Sequence, residues 1–494
     1  MSSVIVKSAH YPGMRSLALP TGQVILVFLL LGLGGPLIMA TIEHASFSAV
    51  LLLGFVAVIG LWLCRNTQVR LKDPSLKILG YFWLIKLGVT LFLLYVGWIP
   101  QLDPASSTAW GYDPQRYYIQ AQELIDNNWS PDLVSLNYVG ILYYYGAIFY
   151  FLGHNPVVPA LINAFVTLLA SLYLVKVGYE IKNRREPRDW TLAWVLLLPE
   201  VLWFDVMTSR ETLLAALLLV TMLTTGRYLA RTAPLSLSTV LTTSGLSALA
   251  IVAVRTSLVL PVLASIVLMM LLVKPQHQFR AMQRAVLAGA AAVLLIFAPL
   301  MAGYLGGYEF DVERTIDVAT SASENIALIS DVNWSENSIG MLLLPEGLIQ
   351  SLLFLPPRMV LYLVAPLPNI AVPISDLLAG SWDAWQRLFT SLSSVINVLA
   401  IPYAVASFIQ SIRRRQTNAA PLVLHIAYWV TFIAVAGGNL TIHERYRVMA
   451  TPLLWGCAWF GARTCSRPQI YIASKYWYGL LSLGALFYLG YKGL

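Results

Sequence analysis

The sequence predicts an all-α polytopic membrane protein of about 13 transmembrane helices, with further juxtamembrane helices on its external face. Three observations carry this. Of 494 residues, 58% are hydrophobic and only 11% are charged, whereas a soluble domain carries about 25% charged residues. The mean hydropathy is +0.70. The apolar residues also gather into stretches close to the ~20 that a spanning helix needs, separated by loops in which Lys and Arg cluster.

The expected spans, in order, are 22–42, 48–64 and 78–99, then 157–179, 191–208, 211–226, 238–254, 257–273 and 285–303, and finally 387–410, 420–438, 447–463 and 473–490. The stretch from Val24 to Ala40 exceeds a signal-peptide core and leads soon into another span, so it is read as an uncleaved first helix. Lys7 and Arg15, then Arg65, Arg70, Lys72 and Lys77, put the N-terminus and the second loop in the cytoplasm. The C-terminus then falls outside. Residues 137–152 look long enough to cross. Crossing would put Lys182, Arg184, Arg185 and Arg188 outside, so this tyrosine-rich segment is expected to lie at headgroup level instead. The later basic loops, with Arg227, Arg231, Lys274, Arg280, Arg284, Arg463 and Arg467, then return to the cytoplasm. Residues 346–380 are cut by Pro356, Pro357, Pro366, Pro368 and Pro373, and must re-enter or lie along the surface if Arg413, Arg414 and Arg415 are to stay inside.

This divides the chain into N-terminal membrane helices (1–99), an external loop with juxtamembrane helices (100–156), a membrane bundle (157–303), a second external loop with a re-entrant or interfacial segment (304–386) and C-terminal membrane helices (387–494). The first loop carries Asp103, Asp113, Glu123, Asp126 and Asp132 against Arg116 alone. Within it Tyr117, Ala121, Leu124 and Ile125 share one helical face, and Asp113 followed by Pro114 marks the helix start. The second holds seven acids, from Glu309 to Glu336, against Arg314.

The net charge of +8 is no nucleic-acid signal, because the basic residues sit in short loops where they encode topology and meet anionic headgroups. Cys64, Cys457 and Cys465 suggest neither a disulfide framework nor a thiolate metal site. Sequons at Asn128, Asn333 and Asn439 carry little information.

The candidate chemistry gathers on the external side. Asp113 is the leading catalytic carboxylate, beside Arg116 and the Tyr117–Tyr118 pair; Asp103 is a second. Arg210 and Glu211 lie between two spans, Arg255 at another turn, and His443, Glu444, Arg445 and Arg447 before the penultimate span. Charges this close to apolar segments are costly and usually face an interior or a cavity. Arginines suit an anionic phosphate and the carboxylate suits a reacting hydroxyl. Each also has a plainer reading: Asp113 as a helix cap, Arg210 with Glu211 as a charge pair at a tight turn, Arg445 and Arg447 as headgroup anchors, and Lys86 as a snorkelling lysine.

These features, in this order, resemble the GT-C superfamily of integral-membrane glycosyltransferases, and within it the branch of protein O-mannosyltransferases and lipid A aminoarabinose transferases. The matching residues are Asp113, Tyr117 and Ala121 at spacings of four, Tyr138 to Pro156 with Leu161 to Asn163, Leu198 to Phe204 with Ser209 to Glu211, and Glu444 to Pro452. The resemblance implies a polyprenyl-phosphate sugar donor entering from the bilayer, and an acid of the first external loop, here Asp113, acting on a glycan, lipid or protein acceptor. It implies donor-phosphate contact by Arg445 and Arg447. The chain departs from the pattern at Pro114, where many relatives carry Glu, and in two extra N-terminal spans.

The expected activity is therefore inverting sugar transfer at the external face, with Asp113 as general base, in what the short loops suggest is a bacterial inner membrane. A divalent metal is compatible but not required, since the acids show no ligand spacing. Two alternatives stay open. One is a polysaccharide polymerase or ligase acting on lipid-linked glycans, which product size would distinguish. The other is a lipid-linked sugar transporter, although transporter sites usually lie at mid-membrane and internal repeats are not evident here.

Overall fold

The structure, a computed structural model, describes residues 47–102, 113–130, 139–181, 190–230, 235–273, 288–289, 292, 348–365, 373–413, 420–438 and 444–492. Every regular element among them is helical. They are α1 (Phe47–Leu71), α2 (Ile78–Leu93, prolonged by a π turn and a 3-10 turn to Leu102), α3 (Asp113–Asp126), α4 (Val139–Leu152), α5 (Val157–Ile181), α6 (Pro199–Asp205, preceded by a 3-10 segment Trp190–Leu197), α7 (Arg210–Ala230), α8 (Leu237–Val254) and α9 (Val259–Leu272). After them come α10 (Leu348–Val364), α11 (Ile374–Leu378), α12 (Trp382–Arg413), α13 (Ala420–Gly438), α14 (Glu444–Arg447), α15 (Thr451–Thr464) and α16 (Arg467–Lys492).

Six helical stretches are long and apolar enough to cross a membrane: Phe47–Leu71, Pro74–Leu102, Val157–Glu180, Arg210–Ala230, Leu237–Val254 and Trp382–Arg413. On this evidence the chain is an integral membrane protein, although six, not 13, is the number these described helices support. The expected spans 22–42 and most of 285–303 lie outside the described residues, as does the acidic stretch 304–345. The expected span 191–208 is broken instead of continuous. Leu198 is extended (ψ 122°) and Pro199 starts the α-helical half. Eight residues at 3-10 rise plus seven at α rise still cover roughly 27 Å, near the ~30 Å of a hydrocarbon core. Irregular backbone at that depth requires protein around it, and Leu192, Ala193, Val195, Leu196, Leu198 and Val201 are all buried.

Helix direction separates two ends. α2 finishes, α7 starts, α8 finishes and α12 starts at one. At the other, Arg227 pairs with Glu180, Tyr179 donates to Asp73 at 2.7 Å and the Gln410 amide donates to the Thr464 carbonyl at 3.0 Å. Inside a bilayer there is no hydrophobic gain between helices, so close backbone approach at small residues does the holding. A Cβ built on Gly461 would stand 2.1 Å from the Tyr403 carbonyl oxygen, which shows how tightly α12 and α15 cross.

α4 lies wholly at the first end. Gly140 presses on the Ala253 carbonyl near the end of α8, the Tyr145 hydroxyl donates to the Ser209 carbonyl at 2.7 Å just before α7, and Gly153 meets Ser48 at the start of α1. This is the packing of a helix laid across one end of a bundle. α3 lies along it. The Leu124 carbonyl accepts from the Trp129 amide at 2.8 Å as the chain turns out of α3, and Asn128 and Trp129 take up the left-handed region at φ 54° and 65°. Trp129 then stacks on Tyr143 at 6.1 Å.

Candidate functional site

The site is built from four segments that converge at the α3–α4 end. α3 contributes the Asp113 carboxylate and Tyr117. Its expected apolar face is the buried one: Tyr117, Ala121 and Leu124 are buried and Ile125 packs against the core. The helix start is tied down because the Thr208 hydroxyl, in the turn between α6 and α7, donates to the Pro114 carbonyl. α7 contributes Arg210 and Glu211 in its first turn, both buried, with 3.6 Å between Nε and Oε1. α8 ends at Val254, and the extended residue Arg255 leaves the helix there. α14 contributes Arg445 and Tyr446.

Arg445 Nη1 stands 2.8 Å from Asp113 Oδ2, with the two side chains 19% and 31% exposed, so the pair is mostly buried but partly open to solvent. Arg445 Nη2 donates to the Tyr446 hydroxyl at 2.7 Å. The guanidiniums of Arg445 and Arg255 lie 4.7 and 4.9 Å from the Tyr446 ring centroid, and that of Arg210 lies 6.0 Å from the Tyr117 ring. Burial alone would raise the pKa of the Asp113 carboxyl. Arg445, Arg210 and Arg116 outweigh it and hold the group below its ordinary value, so it is ionised at neutral pH. Burial, more than any neighbouring charge, pushes the Tyr117 phenol up, so it stays neutral.

Of the residues expected from sequence, the structure brings together Asp113, Tyr117, Arg210, Glu211, Arg255 and Arg445, with Arg116 close enough to act on the Asp113 charge. Tyr118 turns away: its hydroxyl donates to the His154 carbonyl and its ring meets Phe149 at 5.2 Å. Asp103 and His443 lie outside the described residues, and so does the side chain of Glu444.

Arg447 requires a correction. Its side chain is 1% exposed and pairs with Glu200, itself fully buried, at 3.0 Å. Its remaining donors meet the carbonyls of Tyr362 at 2.8 Å, Ala365 at 2.7 Å and Thr390 at 3.3 Å, and the Ser394 hydroxyl at 3.0 Å. All the guanidinium hydrogens have acceptors, which leaves none for a phosphate. Arg447 ties α6, α10 and α12 together. Lys86 is a second correction. It does not snorkel but is fully buried and pairs with Asp205, whose Oδ2 also accepts from Thr167 at 2.8 Å.

Sequence reasoning missed Tyr446, Glu200 and Asp205. Glu200 and Asp205 could have been found by charge matching, because isolated acids within an apolar span need partners and Arg447 and Lys86 were the cations available. Tyr446 stands between Arg445 and Arg447 in the stretch Glu444 to Pro452, a position next to two candidate cations that could have marked it.

Fold and site together define a helical membrane protein that carries a cluster of arginines with Asp113 and Glu211 at a single end. Compared with family models, curated proteins and solved structures, the chain matches none. Among the described residues, no three His, Cys, Asp or Glu side chains gather closely enough to hold a metal ion.

Proposed function

We propose that this protein is a membrane glycosyltransferase that moves a sugar from a polyprenyl-phosphate donor to an acceptor hydroxyl, at the external face of a bacterial inner membrane. The observation that carries the reading is the charge pattern of the cluster. Arg116, Arg210, Arg255 and Arg445 gather with Asp113 and Glu211 at one end of the bundle. Guanidiniums in that number suit a phosphate, and the partly exposed Asp113 carboxylate suits an attacking hydroxyl. The GT-C resemblance supports the same assignment, and Lys and Arg concentrated at the opposite end of the bundle support an external site.

In this reaction the acceptor oxygen attacks the anomeric carbon and forms the new glycosidic bond. The bond from that carbon to the phosphate oxygen breaks, and its electron pair stays on the lipid phosphate. The acceptor proton passes to Asp113, and a single displacement inverts the anomeric centre. Arg255 and Arg445 meet the charge that grows on the leaving phosphate. Arg445 touches Asp113 in the resting site, so a donor phosphate that shares its charge also loosens its hold on the carboxylate.

The test is transfer by the purified protein from a panel of polyprenyl-phosphate monosaccharides, with wild type and Asp113→Asn compared. Asparagine still accepts a hydrogen bond from Arg445 but takes up no proton, so turnover should fall by about 10²–10⁴-fold. Full turnover by a folded Asp113→Asn variant would refute the base. Consumption of diphosphate-linked oligosaccharides alone would favour a polymerase or ligase, and movement of donor across the bilayer without turnover would favour a transporter.

A further inference from the structure

Two arginines from separate segments, Arg255 after α8 and Arg445 in α14, hold their guanidiniums within 5 Å of one aromatic ring, that of Tyr446. Like charges do not gather without a reason. The Asp113 carboxylate holds Arg445 from one side at 2.8 Å, and the contact that Arg445 shares with Arg255 is the Tyr446 ring. An aromatic face attracts cations through its quadrupole and leaves their charge intact. Tyr446 is buried at 8% exposure, and its hydroxyl accepts from Arg445 Nη2 at 2.7 Å. One side chain therefore helps to order two long, flexible cations that would otherwise lose rotamer entropy on binding.

From this, and resting on the transferase reading above, we infer that Tyr446 is a positioning residue that holds Arg255 and Arg445 as a preformed fork for the phosphate of the lipid donor. It touches neither sugar nor acceptor. Its effect falls on donor binding and on the leaving phosphate.

The experiment measures binding of a short-chain polyprenyl monophosphate without sugar to the purified full chain in detergent, by titration calorimetry, alongside donor and acceptor KM. Tyr446→Phe keeps both ring contacts and loses the hydroxyl acceptor, so its affinity should stay within about fivefold of wild type. Tyr446→Leu loses the ring as well and should bind about tenfold or more weakly, two cation–π contacts at roughly 0.5–1 kcal/mol each being at stake. Donor KM should rise by the same factor while acceptor KM stays unchanged, a split that general loosening of the fold would not give. If Tyr446→Leu fails to fold, Tyr446→Met carries the same expectation in a side chain that adapts to its surroundings. Wild-type affinity in a folded Leu or Met variant would overturn the fork while leaving the transferase reading standing. No binding of the lipid phosphate by wild type would bring down both.

Discussion

Replacing Arg447 distinguishes a structural tie from a ligand contact. The guanidinium is 1% exposed and Glu200 is 0% exposed. In Arg447→Leu the Glu200 carboxylate keeps only the hydroxyls of Ser393 at 3.1 Å and Thr451 at 2.9 Å. The Ala365 carbonyl at the end of α10 also loses a donor that stood at 2.7 Å. Breaking a buried pair on one side costs about 3–5 kcal/mol, because a charge is left without its partner. Removing both charges, with Arg447→Met and Glu200→Gln together, should cost less than Arg447→Leu alone. The assay is the apparent unfolding temperature in detergent, read as the fraction that stays monodisperse after heating. The single variant should lose on the order of 5–10 °C and the double variant less. If Arg447→Leu kept its wild-type unfolding temperature and lost lipid-phosphate binding instead, the structural assignment would be wrong and Arg447 would belong with the proposed phosphate contacts.

Three further outcomes follow from the same geometry. Lys86→Met leaves Asp205 buried with its lysine gone, so it should destabilise by about 3–5 kcal/mol, and adding Asp205→Asn should restore part of the loss in the same heating assay. Gly140→Val should abolish the seating of α4, because a Cβ there stands 2.0 Å from the Ala253 carbonyl oxygen; protease cleavage near residues 131–138 that is no faster than in wild type would contradict this. The third concerns pH. Against the burial that would raise it, Arg445, Arg210 and Arg116 hold the Asp113 pKa below its ordinary 3.8. A depressed acid contributes stability that is present above the unfolded pKa and lost as pH falls through the folded one, so the Asp113–Arg445 contact should hold until below about pH 4. The kcat/KM profile should accordingly show no acid limb from Asp113 between pH 5 and 8, and an acid limb near pH 6 that moves in Asp113→Glu would count against the ionised resting carboxylate.

Much of the site was legible because its cues are local. Asp113 followed by Pro114 starts a helix, the spacing of Tyr117, Ala121 and Leu124 fixes its buried face, and basic loops sort the chain ends into two groups. Those rules brought Arg210, Glu211, Arg255 and Arg445 to the side of Asp113 before any contact was known, and the structure gathers them there. The same rules predict that residues 137–152 do not cross, and α4 meets the end of α8 and the residue before α7. They failed for Arg447, two residues from Arg445 and equally basic, because a short helix points successive side chains in different directions. One is partly open to solvent beside Asp113 and the other is fully enclosed with Glu200.

By itself the sequence determined the class of protein, its helical composition and most of the charged residues that meet at one end of the bundle. Each follows from hydropathy, charge placement or helical period, which act over a few residues. Only the tertiary structure decided which charges are consumed and which are presented. Glu200 meets Arg447 across 247 positions and Asp205 meets Lys86 across 119, and Arg255 reaches the Tyr446 ring from a different helix. Inside a bilayer a charge must find its partner wherever packing places one, and that choice belongs to the fold as a whole.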